Sequence, residues 1–425
     1  MRVGDSFCPG ILHAVEAKDG LLTRIRVPGG MISANQLEVI AGLAVAYSNG
    51  EVEITSRSNL QLRAIRNRDL HYVVKELKSA GFLPSVPHDR VRNLVTSPFA
   101  GLGFGEILDS RPIVIELDRR LIAEQGLAAL PPKFSFAIDG GGSWFSRDSD
   151  DLAFRAVTAN DARCLNLEVG GASTGFSVTV DKVVECAVQA AKACLRISEK
   201  FGIPARGKKI AAVPQAMDEL LSELSDLLLP SPSSSAAKIV TDMPVGVYSA
   251  EQVGVVSLVP SVPLGRLTSE QVRCVAAIAR EWSGDVRLAS WRGIVLGSVT
   301  ENSLIQVAEK LLSVSLPLDG KDGYRGIAVC AGKTGCDASL ADVRSDASLL
   351  ASRLSGRDAE AGWTVNISGC EKQCAMRSGA TVELIADSSG YKMRFKGKKL
   401  ASGCSLDLAM TTLGNLAVMS PEASS

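Results

Sequence analysis

Residues 29–65 read GGMISANQLEVIAGLAVAYSNGEVEITSRSNLQLRAI, and residues 264–299 read LGRLTSEQVRCVAAIAREWSGDVRLASWRGIVLGSV. The two stretches align with a single deletion near Gly50, so the chain carries an internal repeat. Each copy opens on a capping box, Ser33 ahead of Gln36 and Thr268 ahead of Gln271. In each, hydroxyl and amide satisfy orphan helix N–H groups reciprocally. Helical spacing of apolar residues follows, at Leu37, Ile40, Leu43 and Ala44 and at Val272, Val275, Ile278 and Ala279. Short turns (Ser48–Gly50; Ser283–Gly284) lead into alternation: Val52, Ile54, Leu60 and Leu62, then Val286, Leu288, Ile294 and Leu296. That is strand period. Each copy therefore reads as a strand–helix–strand–strand–helix unit, and the two are expected to pair about a pseudo-twofold axis.

Each copy is followed by a larger α/β segment, from about Arg90 to Leu229 and from about Gly323 onward. The first contains a long patterned helix, Val183–Phe201. The halves meet at LLLPSPSSSAAK, Pro/Ser-rich over Pro230–Ser235 and read as a linker, and the tail after Met419 reads as frayed. The resulting division is a half-domain over 1–88, an α/β domain over 89–229, a linker over 230–236, a second half-domain over 237–318 and a second α/β domain over 319–425. A chain of 425 residues has room for several such cores.

Hydrophobic residues make up 46% and charged residues 22%, the balance of a globular protein. Lys plus Arg (46) equals Asp plus Glu (46), which argues against a general nucleic-acid or membrane-surface role. Apolar runs such as Ile40–Tyr47 are far shorter than a bilayer span, and the N-terminus lacks a signal pattern. A cytoplasmic, monomeric protein with reduced thiols is expected. Its ten cysteines then need a role other than disulfides, and its three histidines (His13, His71, His88) disfavour imidazole-built metal sites.

Four cysteines form a pattern: Cys330 and Cys336 in AVCAGKTGCDAS, Cys370 and Cys374 in WTVNISGCEKQCAMR. Thr364–Ile367 reads as a strand, and Gly369 permits a tight turn into a helix, which would project Cys370 and Cys374 from one face. A helix N-terminus suits an anionic thiolate site. Four thiolates without a nearby histidine fit a four-iron, four-sulfur cluster. Zinc prefers closer pairs than the five-residue gap between Cys330 and Cys336, and the bland alternative is four buried, inert thiols. Cys8, Cys164, Cys186, Cys194, Cys274 and Cys404 show no ligand spacing; Cys186 and Cys194 read as core, and Cys274, opposite Val39 of the first copy, as a buried apolar position.

The two cysteine pairs resemble the cluster motif of siroheme-dependent sulfite and nitrite reductases, a family built from duplicated halves. Thr55–Arg63 (TSRSNLQLR), Arg92–Pro98 (RNLVTSP) and Leu130–Ser135 (LPPKFS) resemble further segments of that family. The resemblance implies the α+β class: two ferredoxin-like half-domains pairing as a pseudo-twofold unit, plus two α/β domains. It also implies that cationic side chains bind tetrapyrrole carboxylates, with Arg57, Arg63, Arg92 and Lys133 as candidates. Arginine suits that task because its planar fork matches a carboxylate. Ser135 stands where the family has a second lysine, and Ser58 where it has Gln.

One branch, the precorrin-3B synthases of aerobic cobalamin formation, is resembled more closely. The stretches are CPGILHAVEAKDGLLTRIRVPGG, the TSRSNLQLR segment, PLGRLT with WRGIVL, and GCDASLADVR. VNISGCEKQC resembles that branch's cluster segment, with Asn366, Glu371 and Gln373 as departures. This implies that precorrin-3A and molecular oxygen are substrates, hydroxylation being followed by γ-lactone closure. The 4Fe–4S cluster would transfer electrons from an external donor, NAD(P)H or a reductase or ferredoxin. An additional mononuclear iron is a further candidate, although no two-histidine, one-carboxylate pattern is evident. In siroheme enzymes the last cysteine, here Cys374, also bridges to the siroheme iron. The alternatives are a siroheme-dependent sulfite or nitrite reductase and a non-catalytic tetrapyrrole-binding protein. No strand–GxGxxG–helix unit marks a nucleotide site of its own.

Overall fold

A computed structural model of the chain describes residues 8–142, 150–159, 162–232, 244–356, 364–376 and 380–416. The tail after Met419 and the linker from Ser233 to Ala236 lie outside the described residues.

Both repeat copies form the expected unit. Helix Ala34–Tyr47 starts at Ser33 and helix Ser269–Ile278 at Thr268, each with both hydrogen bonds of its capping box. The second runs on through a wider π-type turn, Ala279–Ser283, before Gly284 reverses the chain at φ 68°. The halves pair by exchanging strands. In one sheet the order is Val15–Ala17, Gly20–Ile25, Leu60–Ile65, Glu51–Ile54, then Arg266–Thr268 from the second copy. In the other it is Gly246–Ser249, Val255–Val259, Ile294–Thr300, Asp285–Leu288, then Met31–Ile32 from the first. The crossing needs Gly30: its φ is 70°, and a Cβ there would lie 2.3 Å from the Leu288 carbonyl oxygen. The two capped helices pack on each other, and one core serves both halves, from Ile25, Ile40 and Leu62 to Val275, Ile278 and Leu296.

The two α/β domains share a topology. In the first, Leu94–Thr96, Phe136–Asp139 and Leu152–Ala159 run parallel, and Ala162–Val169 and Ala172–Thr179 continue antiparallel. In the second, Ile327–Val329, Val365–Ser368 and Val382–Asp387 are parallel, and Gly390–Phe395 and Lys398–Cys404 antiparallel. Each has a helix between its first two strands, Arg111–Ala123 or Val343–Leu354, and one after its last, Val183–Phe201 or Leu406–Leu416. Leu229–Pro230, at the start of the expected linker, instead adds a short edge strand to the first sheet. Proline is tolerated there because an edge strand has a free N–H side. The long helix ends at Gly202 in left-handed backbone, φ 63°, and buries Cys186 and Cys194 completely. Burial pushes the Cys186 thiol up to about 12 and the Cys194 thiol strongly upward, as inert core thiols require. Cys274 departs from expectation: it is half-buried, and its Sγ lies 3.5 Å from the Lys310 carbonyl.

Candidate cluster and tetrapyrrole site

The four candidate ligands come to one end of the second α/β sheet. Val329 pairs in register with Ile367 on the neighbouring parallel strand, so Cys330 and Cys370 both follow the same end of the sheet. Gly332–Gly335 forms a single helical turn between Cys330 and Cys336. The loops are tied together: Leu340 N–H donates to Gly369 O (2.8 Å), and Gly369 N–H points at Cys330 Sγ (3.4 Å). A Cβ at Gly369 would fall 1.8 Å from Ser339 Oγ, so only glycine fits that crossing.

The expected helix after Gly369 does not form. Residues 369–376 make a turn and loop, with Gln373 at φ 45°. The cause lies in a residue that departs from the family pattern. Asn366, fully buried in the strand, donates through Nδ2 to Met376 O (2.6 Å) and accepts from Ser368 Oγ (3.2 Å). That bond folds the chain back over the strand end and closes the loop carrying Cys370 and Cys374. Cys330, Cys336 and Cys370 are half-buried and Cys374 is exposed. Among the described residues no three His, Cys, Asp or Glu side chains are gathered closely enough for one metal ion. Thiolates on a single zinc would stand about 4 Å apart, given Zn–S of about 2.3 Å. Four cysteines on two tied loops, with no histidine among them, are the donor chemistry that a four-iron, four-sulfur cluster takes.

Both half-domains hold the loops. Arg63 Nη2 donates to Gly335 O (2.6 Å), while its fork grips Asp19 at 3.0 Å. Lys18 Nζ donates to Lys333 O (2.8 Å), and Arg344 meets both oxygens of Glu51 at 2.7 Å. From the second half, Arg292 Nη2 donates to Ala375 O (2.7 Å).

The cationic candidates separate. Arg57 sits half-buried in the turn between Ile54 and Leu60, and its Nε is buried without a hydrogen-bond partner among the described residues. Arg63, on the strand Leu60–Ile65, is spent on Asp19 and the Gly335 carbonyl of the cluster loop. The structure places Arg92 away from an open pocket: it is 6% exposed, its Nε and Nη2 donate to Asp118 (2.8 and 2.7 Å), and Nη1 donates to Phe82 O. Lys133 is half-buried on the loop after Pro132. Ser135 is fully buried; its N–H donates to Asp151 (3.0 Å) and its hydroxyl has no partner among the described residues.

Sequence reading gives no role to Arg24 or Arg26 and sets Cys8 aside for want of ligand spacing, yet the fold brings the three together. The two arginines alternate on strand Gly20–Ile25 and just past it, directly before the glycine turn, and that period was the available signal. Arg24 donates twice to Gln61 Oε1 (2.9 and 2.6 Å). Burial lowers its pKa, and nearby Arg57 lowers it further, while Cys8 and Glu53 oppose the shift. Arg26 is buried and pushed down to about 10, by desolvation first and Arg24 next. It donates to Pro9 O (2.6 Å) and Asn93 Oδ1 (3.1 Å). Cys8 Sγ lies against both guanidinium groups, at 3.8 and 3.7 Å. Asp89 folds this segment into place by accepting from Ile11 N–H, Leu12 N–H and His13 Nδ1.

Comparison with known proteins agrees with this architecture. The nitrite/sulfite reductase ferredoxin-like half domain matches residues 13–80 and 248–314, the two copies of the repeat. The nitrite and sulphite reductase 4Fe-4S domain matches residues 88–196, the first α/β domain. Together these matches span more than half of the chain, which belongs to the nitrite/sulfite reductase family of iron–sulfur oxidoreductases with a 4Fe–4S cluster. The candidate ligands lie in the second α/β domain, outside the matched residues. Among curated relatives, a ferredoxin–nitrite reductase of Synechococcus elongatus is 27% identical, covering 89% of this chain and 77% of that protein. A precorrin-3B synthase of a Sinorhizobium species is 28% identical, covering 92% of this chain and 82% of that protein. The solved Mycobacterium tuberculosis NirA protein shares the fold, with a TM-score of 0.78 at 22% identity over 93% of this chain and 79% of that one. Among the described residues no helix is long and apolar enough to cross a membrane.

Proposed function

We propose that the chain is an oxygen-dependent monooxygenase of the precorrin-3B synthase type, acting on a tetrapyrrole polycarboxylate such as precorrin-3A. The observation that carries this reading is the pairing of the cations. A pocket that reduces sulfite or nitrite needs concentrated positive charge free to meet a small anion. Here Arg92 is held by Asp118, Arg26 by the Pro9 carbonyl and Asn93, and position 135 is a buried serine. Arg57, whose Nε has no partner among the described residues and which has Arg24 beside it, retains the capacity to bind a carboxylate arm. The similarity to a precorrin-3B synthase over 92% of the chain supports the same reading.

In this reading Cys330, Cys336, Cys370 and Cys374 hold the cluster, which supplies one-electron transfer. Arg57 and Lys133 orient the substrate through its carboxylates. One atom of molecular oxygen enters the substrate as hydroxyl and the other leaves as water. Two electrons from an external NAD(P)H, reductase or ferredoxin donor and two protons complete the balance. A ring acetate then closes the γ-lactone. The ferredoxin-dependent nitrite reductase relatives support the competing reading, in which siroheme is bound.

Protein purified without air, from a host able to make siroheme, separates the two. Iron–sulfur absorbance without chlorin bands, followed by turnover of precorrin-3A, is the expected result. Chlorin bands and siroheme extractable into acid–acetone would reject the monooxygenase and direct the assay to nitrite and sulfite.

A further inference from the structure

The two repeat copies build the same turn at the tip of their central hairpins. In the first, Thr55 N–H donates to Asn59 O (2.8 Å) and Ser58 N–H to Thr55 O (3.0 Å). In the second, Ala289 N–H donates to Gly293 O and Arg292 N–H to Ala289 O, both at 2.9 Å. Ser58 and Arg292 thus correspond, and both adopt left-handed backbone, at φ 54° and 66°. The chemistry on this shared scaffold differs. Where the first tip presents Arg57, the second has Trp291, which stacks on Phe99 with centroids 6.1 Å apart. The next residue, Arg292, turns toward the cluster loops instead. Its stem passes over Gly265, where a Cβ would lie 2.7 Å from the Arg292 Cβ. Its Nη2 ends 2.7 Å from the carbonyl of Ala375, the residue after Cys374.

We propose that Arg292 is a positioning residue for the iron–sulfur cluster: it pins the Cys374 loop from the second half-domain and sets a guanidinium beside the cluster. The loop is held by side chains from outside it. It lacks a helix, Asn366 ties its end at Met376, Lys392 bonds Glu371 in its middle (2.7 Å), and Cys374 is exposed. A left-handed arginine is disfavoured by its Cβ and persists only where the surroundings fix it. A cation near the cluster favours the reduced form, which carries one more negative charge, and so raises the reduction potential. The inference rests on the cluster and its four cysteines, not on which substrate is oxidised or reduced.

The test compares holoprotein of wild type, R292K and R292M, purified without air. Iron and sulfide content, the EPR spectrum of the reduced cluster and its midpoint potential are read on each. R292M is expected to show a more negative potential and altered g-values, or partial loss of iron. R292K, which keeps charge and donor, is expected to restore most of both. A wild-type potential and spectrum in R292M would overturn the proposal, and so would equal cluster loss in R292M and R292K. None of these readouts uses turnover, so a siroheme-bearing result in the preceding experiment would leave the outcome for Arg292 intact.

Discussion

Glu106→Gln should make the protein more stable at alkaline pH and leave it unchanged in acid. Glu106 lies at the end of the first α/β sheet that corresponds to the cysteine-bearing end of the second. It is wedged against the Gly140–Gly142 turn, where a Cβ on Gly140 would fall 1.8 Å from its Oε2, and that oxygen has no hydrogen-bond partner among the described residues. Desolvation raises its pKa from 4.5 to about 7; Asp139 and Asp109 add to the rise, while Ser97 and Arg287 oppose it. The folded protein therefore binds this proton more tightly than the unfolded chain. Stability falls as pH rises from about 4.5 to about 7, because there the native state holds more protons than the unfolded one. At about 1.4 kcal/mol per pH unit, the charged side chain costs up to about 3 kcal/mol above pH 7. The neutral amide keeps the shape and removes that cost. Urea unfolding of wild type and variant at pH 5, 6, 7 and 8 measures the difference. A gap that opens from near zero to about 1–3 kcal/mol is expected. A gap independent of pH would refute the assignment of a neutral Glu106.

Two further outcomes concern the site itself. Cys370→Ser should abolish cluster iron and acid-labile sulfide and destabilise the second α/β domain, because binding the cluster is coupled to folding; full retention of iron and sulfide would remove Cys370 from the ligand set. Arg57→Ala should weaken tetrapyrrole binding about tenfold or more, the value of a lost charge-assisted hydrogen bond, while the cluster spectrum stays as in wild type. Unchanged affinity in a tetrapyrrole titration would mean that the substrate lies elsewhere.

The architecture was legible because it rests on local, periodic signals. The capping boxes at Ser33 and Thr268 and the helix Val183–Phe201 form at the residues where sequence places them. What the sequence withheld depends on long-range partners. Nothing near Met31 says that it will pair with Arg287 in the other copy's sheet. Nothing near Arg92 says that Asp118, on the following helix, will take its guanidinium. The missing helix at Cys370 is the same kind of failure: a four-residue spacing suggests a helical face, but the buried Asn366 amide holds the chain in a loop. Arg24, Arg26 and Cys8 were visible only as scattered residues, since a strand, its flank and an N-terminal segment come together around them in the fold.

Duplication gives this fold two of everything, and its chemistry depends on how the copies have diverged. At the same end of two similar sheets, one domain carries thiols at Cys330 and Cys370, and the other carries Ser97, the Gly140–Gly142 turn and a desolvated Glu106. At the same hairpin tip, one copy offers Arg57 and the other the Trp291–Phe99 stack and Arg292. In the proposed reading, a second tip built like the first would bind the same polyanion away from the cluster. Around the second tip Phe99, Leu102, Val259 and Val295 instead form a buried apolar cluster with Trp291 packed against it, which contributes apolar burial. Arg292, next to that tryptophan, reaches the Ala375 carbonyl of the cluster loop. On that reading the two tips divide the work, one offering Arg57 to a carboxylate and the other Arg292 to the cluster loop.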